Sequence, residues 1–133
     1  MKTLPIVWQR LIDEQGDTCP RCAGTGDEVR RAVERLRAIL APMGVEPSLE
    51  TRAIDRAAFL ADPLASNRVL IAGRPLEEWL GGREGQSRCC EACGDADCRT
   101  VEVGGRTHEV LPEALLVRAG LIAGSRLLDP SLA

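Results

Sequence analysis

The sequence predicts one α/β domain spanning residues 1–133: a βαβ unit, further β-strands, a C-terminal helix, and a cysteine-rich loop inserted over residues 83–99. Three observations predict it. TLPIVWQRLI, an amphipathic stretch from Val29 to Met43, and the alternating VEPSLETRAI read in order as strand, helix and strand. A chain of 133 residues has room for one hydrophobic core and little more. REGQSRCCEACGDADCR has no apolar period and holds four of the six cysteines, which marks it as a loop that something must hold.

Residues 3–12 are apolar on both faces, as expected of an interior strand covered on both sides. The stretch GDTCPRCAGTGDE follows. Thr25 stands three residues before Glu28, a capping-box spacing that predicts a helix start near Thr25. Val29, Val33, Leu36, Leu40 and Met43 then form one apolar stripe, with Arg30, Arg31, Glu34 and Arg37 facing away, and Gly44 ends the helix. In residues 45–54 Val45, Pro47, Leu49 and Thr51 alternate with polar residues, and Pro47, which lacks a donor, makes this an edge strand.

Asp55 is placed to cap a short helix through Leu60, and RVLIAG (68–73) reads as a third strand. RPLEEWLGG is a brief helical turn or a return strand. TVEVGGRTHEVL suggests a hairpin around Gly104 and Gly105, but a two-residue turn would set Val101 and Val103 on one face with Arg106 and His108. A longer loop is therefore expected. The last helix begins at Pro112 and is apolar nearly all round, with Leu115, Leu116, Val117, Leu121 and Ile122 spread about the cylinder. Exposed apolar surface of that kind is buried most simply in a homodimer through this helix, with cover by the hairpin as the alternative.

Several function classes are disfavoured. The net charge is −3, the arginines are dispersed, and Trp8, Trp79 and Phe59 are the only aromatics, so neither a phosphate-tracking stripe nor a base-stacking platform is visible. No run approaches the length of a membrane helix. The N-terminus has no signal-peptide pattern, which predicts a cytoplasmic protein with reduced thiols. GTG fits no phosphate-loop pattern. His108 reads as a surface residue, Trp8 and Trp79 as core, and the arginine face of the first helix as solvated.

The chemistry lies in the cysteines. In CPRC, Cys19 is a candidate nucleophile and Cys22 its resolving partner, because a C-P-x-C turn leading into a helix stabilises the first thiolate through the helix N-terminus. Arg21 adds positive charge, while a helix start near Thr25 would weaken the dipole's effect. CPRCAGTG also resembles one zinc knuckle of the DnaJ-type chaperone cysteine-rich region, which supplies only two of four ligands. Cys89, Cys90, Cys93 and Cys98 form the second cluster, CC-x2-C-x4-C, whose four thiolates suit tetrahedral Zn²⁺ at about 2.3 Å per bond. Adjacent cysteines seldom point at one metal, so Cys89 or Cys90 is a candidate to reach toward Cys19 and Cys22 instead. An iron–sulfur cluster and disulfide exchange with the first pair remain alternatives.

The order of elements, with a dithiol at the first turn, resembles the thioredoxin plan. The chain also resembles an uncharacterised bacterial and archaeal family of thioredoxin-like proteins in LPIVWQRL, TCPRC, SNRVLIAGRPLEEWLG, CCEACGDADCRTVEV and LPEALLVRAGL. The resemblance implies a thioredoxin-like fold and brings no established activity. One departure stands out. Thioredoxins place a cis-proline before the third strand, where this chain reads ASNRV, with Ser66 or Asn67 in that place. The expectation is a thioredoxin-like thiolate protein that holds a soft metal, zinc first, through Cys89, Cys90, Cys93 and Cys98 beside the Cys19/Cys22 dithiol. One alternative is a thiol-disulfide oxidoreductase acting on a protein partner, with the C-terminal cysteines as electron relay. Another is a partner-binding module with purely structural zinc.

Overall fold

A computed structural model describes residues 1–88 and 97–129. In chain order the elements are β1 (Lys2–Leu11), α1 (Pro20–Leu40), β2 (Val45–Ile54), α2 (Arg56–Ala61), β3 (Arg68–Ile71), β4 (Arg74–Pro75), α3 (Leu76–Trp79), β5 (Arg83–Arg88), β6 (Asp97–Val103), β7 (Arg106–His108) and α4 (Glu113–Leu128).

Four strands form the main sheet in the order β2-β1-β3-β4. β1 runs parallel to β2 and antiparallel to β3, with Ile6 opposite both Leu49 and Ile71. The β1 run is thus interior and the proline-bearing β2 an edge strand, as their compositions predict. Leu4, Ile6 and Trp8 join Val45, Val69 and Ile71 in the core beneath α1 and α4. The other face is less covered than expected, with Pro5 exposed and Val7 half-buried. Burial on both faces therefore holds only toward the end of β1, where Gln9 and Leu11 are buried on that second face.

α1 begins at Pro20, not near Thr25. Proline at the first helical position presets φ and gives up an N–H that would have no partner there. The Thr25/Glu28 capping box does not form. Thr25 is fully buried inside the helix, where its hydroxyl accepts from the Leu111 N–H at 3.1 Å, and Glu28 pairs with Arg31. Cys22, Val29, Val33, Leu36 and Leu40 make the buried stripe, whereas Met43 lies in the following 3-10 turn and is 53% exposed.

Glycine sets the closeness of α1 to its neighbours. A methyl group at Gly26 would lie 2.4 Å from the Trp8 ring, and one at Gly120 would lie 2.5 Å from Leu36. With α4 seated this near, Leu115, Leu116 and Val117 are buried within the chain, leaving Ile122 and Leu128 as the large apolar residues exposed on that helix. The broad apolar surface that argued for a dimer is therefore mostly internal.

The second sheet corrects two expectations. Residues 83–88 and 97–99 belong to antiparallel strands rather than a loop, with Arg83 opposite Glu102 and Arg88 opposite Asp97. β5 lacks apolar alternation because it is an outer strand with most of its residues exposed, held by its ladder to β6. The β6–β7 connection is the two-residue turn, Gly104 at φ 61° and Gly105 at φ 79°, a left-handed pair that glycine adopts without strain. It sets Val101 opposite His108 and Val103 opposite Arg106, an arrangement tolerated because Arg106 is exposed. Arg99, almost fully buried, pairs with Glu77 on α3 and Glu84 on β5 and donates to the Leu64 carbonyl at 3.2 Å. This joins the second sheet to the first.

Candidate functional site

Cys19 is the N-cap residue of α1, in extended backbone conformation, and its carbonyl closes the first turn by accepting from the Ala23 N–H at 2.9 Å. The earlier helix start puts the sulfur at the positive end of a 21-residue helix. Dipole stabilisation of a Cys19 thiolate is therefore closer than the capping-box reading allowed. Cys22 lies one turn in and is fully buried, while Cys19 is 6% exposed.

Both thiols belong to a buried cluster with Leu11, Phe59 and Cys98, against which Ile54 packs. Of the four cysteines expected to hold metal, Cys98 is thus brought to the dithiol. Cys89, Cys90 and Cys93 lie outside the described residues. Among the described residues, no three His, Cys, Asp or Glu side chains form a group that could hold a metal ion.

Ser66 lies two residues before β3, and among the described residues no peptide bond is cis. Its hydroxyl lies 3.2 Å from Cys22 Sγ and accepts from the Leu11 N–H at 2.9 Å, both contacts buried. The hydrogen bond with Cys19 and burial push the Cys22 thiol far above its ordinary range, with Ser66 and Thr18 pulling weakly the other way. Asn67, next in sequence, adopts a left-handed conformation at φ 61°, and its side-chain amide donates to the carbonyls of Arg99 at 3.2 Å and Glu109 at 2.8 Å. One short segment thereby contacts both the dithiol and the second sheet.

Arg21 does something other than the sequence suggested. Its nearly buried guanidinium donates to the carbonyls of Arg88 at 2.9 Å and of Ser87 and Cys98 at 3.4 Å, and pairs with Glu109 at 3.1 Å. The charge expected to act on Cys19 instead holds the β5–β6 hairpin to the start of α1. Nothing in the sequence separates Cys98 from the other three cysteines of its cluster, since its placement depends on strand pairing between Ser87 and Cys98.

A cleft of about 580 Å³ opens beside Cys19, lined by residues 11–15, Asp17 and the start of α2 at Asp55–Ala57. Of the described cysteines, Cys19 is the one on its wall. The arrangement is that of a dithiol whose first cysteine, nearly buried, lines the cleft at a helix start and whose second lies fully buried behind it.

This chain belongs to the family described as a domain of unknown function, DUF2703, which it matches over residues 4–120. It is 42% identical over 113 residues to an uncharacterized protein of Archaeoglobus fulgidus, an alignment covering 85% of this chain and 82% of the archaeal one. No solved structure matches it. Among the described residues no helix is long and apolar enough to cross a membrane.

Proposed function

We propose that this protein is a cytoplasmic thiol-disulfide oxidoreductase of thioredoxin-like architecture, with Cys19 as nucleophile and Cys22 as resolving thiol. The observation that carries the reading is the placement of Cys19: N-cap of a long helix and wall of the cleft. The sheet order β2-β1-β3-β4, with α1 leaving β1 at the dithiol, supports the architecture. Ser66, in contact with Cys22 just before β3, supports it further.

In this reaction the Cys19 thiolate attacks one sulfur of a partner disulfide. A Cys19–partner disulfide forms, and the other partner sulfur leaves as a thiolate that takes up a proton. Cys22 then attacks the Cys19 sulfur, its proton passes to the departing partner thiolate, and a Cys19–Cys22 disulfide remains. The partner is reduced by two electrons and the dithiol is oxidised by two. Once Cys19 is held in the mixed disulfide, the Cys19 hydrogen bond that raises the Cys22 thiol is lost, so Cys22 gives up its proton more readily and attacks as the thiolate.

The test is trapping. Cys22→Ser should accumulate a mixed disulfide at Cys19 when offered hydroxyethyl disulfide, and the parent, regenerated by dithiothreitol, should turn that disulfide over. Absence of both would remove the reading.

A second reading is favoured by Cys98, which shares the buried cluster with the dithiol. There the cysteines hold a soft metal, zinc first and an iron–sulfur cluster second, drawing on Cys98 with Cys89, Cys90 and Cys93, alone or joined by one sulfur of the dithiol. Metal analysis separates these sets. Loss in Cys98→Ser and Cys93→Ser but not Cys19→Ser assigns the C-terminal cluster, loss in Cys19→Ser as well assigns a shared site, and a metal-free parent removes the reading.

A further inference from the structure

We infer that the cleft beside Cys19 selects disulfide partners carrying positive charge next to the sulfur, an inference that rests on the oxidoreductase reading and names its substrate class. The cleft is enclosed on one side by residues 13–17 and on the other by the first residues of α2, with Cys19 among the residues that line it. A partner sulfur approaching Cys19 through this opening passes between those two segments.

Their charge is one-sided. Asp13, Glu14, Asp17 and Asp55 stand against Arg56, a local balance of −3 that equals the net charge of the whole chain. The rest of the chain carries no net charge, so the molecule's excess of negative charge is accounted for at this opening. Clefts lined by one sign of charge focus that field and raise encounter with the opposite sign by tenfold or more at low salt.

The carboxylates are held in place. Asp13 accepts from the backbone N–H groups of Gln15 at 2.9 Å and Asp17 at 2.8 Å, and Asp55 caps α2 by accepting from Ala58 N–H at 2.8 Å. These two fix the walls as well as charging them. Glu14 and Asp17 cap no helix, and both are exposed, so their charge can be changed without removing the turns. The cleft, about 580 Å³, has the size of a small-molecule site and room for a small disulfide.

Three small disulfides test this, with dithiothreitol as reductant and every rate divided by that of dithiothreitol alone, so that intrinsic reactivity cancels. Cystamine is cationic, hydroxyethyl disulfide neutral and oxidised glutathione anionic. The expected result is a normalised preference of about tenfold or more for cystamine over oxidised glutathione at low ionic strength. Raising sodium chloride to about 0.5 M should reduce that preference several-fold, since the Debye length then falls to roughly 4 Å. In Glu14→Lys/Asp17→Lys the preference for cystamine over oxidised glutathione should shrink or reverse. If that variant does not fold, the salt dependence of the parent alone decides the matter. Equal normalised rates for the charged disulfides at all salt concentrations, with hydroxyethyl disulfide turned over, would overturn the charge selection and leave the oxidoreductase reading standing. Turnover of none of the three would overturn both.

Discussion

Replacing Arg21 with methionine separates two roles that the sequence alone would confuse. If Arg21 is a clamp, the variant loses stability and loosens the β5–β6 hairpin. If it is an activating charge, the variant stays folded and Cys19 becomes a poorer nucleophile. Two of the four contacts are well formed, at 2.9 Å to the Arg88 carbonyl and 3.1 Å to Glu109, and two are weak at 3.4 Å. A hydrogen bond from a charged donor contributes about 1.5–3 kcal/mol. The Glu109 carboxylate is 61% exposed, so its ion pair counts at the surface scale of about 0–1 kcal/mol. Methionine retains part of the stem packing. The expected loss is about 2–4 kcal/mol, which for an unfolding entropy of roughly 2.1 cal/mol/K per residue lowers Tm by roughly 7–14 °C. Arg21→Lys should recover little, because one ammonium cannot serve several carbonyls and a carboxylate in the planar geometry of a guanidinium. The assay pairs thermal melting with the rate of Cys19 alkylation by iodoacetamide near neutral pH, read by peptide mapping. A variant that melts within 2 °C or so of the parent while Cys19 alkylation slows tenfold would refute the clamp.

Ser66→Ala should cost about 1–3 kcal/mol, since the buried Leu11 N–H loses its acceptor, and should prolong the Cys19 mixed disulfide because Cys22 loses a contact that lowers its pKa. Unchanged denaturant midpoint and unchanged resolution rate together would argue that the hydroxyl is incidental. The raised Cys22 thiol also predicts a pH dependence of stability. Below the unfolded thiol's pKa of about 8.5, Cys22 is protonated in both states and costs nothing. Above it, the unfolded thiol ionises while the folded one does not, so stability falls by up to about 1.4 kcal/mol per pH unit through this group. Cys22→Ala should remove that component, and parallel stability curves for parent and variant between pH 8 and 10 would contradict the assignment.

Much of the fold was legible because local chemistry and tertiary packing agree over its first half. β2 runs from Val45 to Ile54 as its alternation implies, and Asp55 caps α2 through the bond to Ala58 that its type and position suggest. The start of α1 was misread because Thr25 and Glu28 satisfy a local spacing rule, while Pro20 and the buried position of Cys22 satisfy a longer-range one. Extending the apolar stripe back through Cys22 would have found the true start. β5 was illegible for a physical reason. A strand whose residues are mostly exposed needs no apolar period, and its existence depends on backbone pairing with β6. The Gly104-Gly105 turn was legible as a turn, but its length was misjudged by weighing face polarity above the preference of two glycines for a left-handed pair.

The site was legible in its residues more than in its connections. CPRC marked Cys19 and Cys22, and the absence of a proline drew attention to Ser66, which indeed meets Cys22. What the sequence concealed is that Arg21, between the two cysteines, belongs to the hairpin carrying Cys98. The consequence is mechanical coupling. Forming a Cys19–Cys22 disulfide draws two sulfurs on the first turn of α1 to bonding distance, and Arg21 stands on that turn with its guanidinium fixed to three carbonyls of β5 and β6. A shift of the turn either strains those bonds or carries the hairpin with it. Buried charged groups tolerate lost partners poorly, so moving the hairpin is the cheaper response. If the proposed reaction forms a Cys19–Cys22 disulfide, the shift of this turn would be passed through Arg21 to the strands that carry Ser87, Arg88 and Cys98.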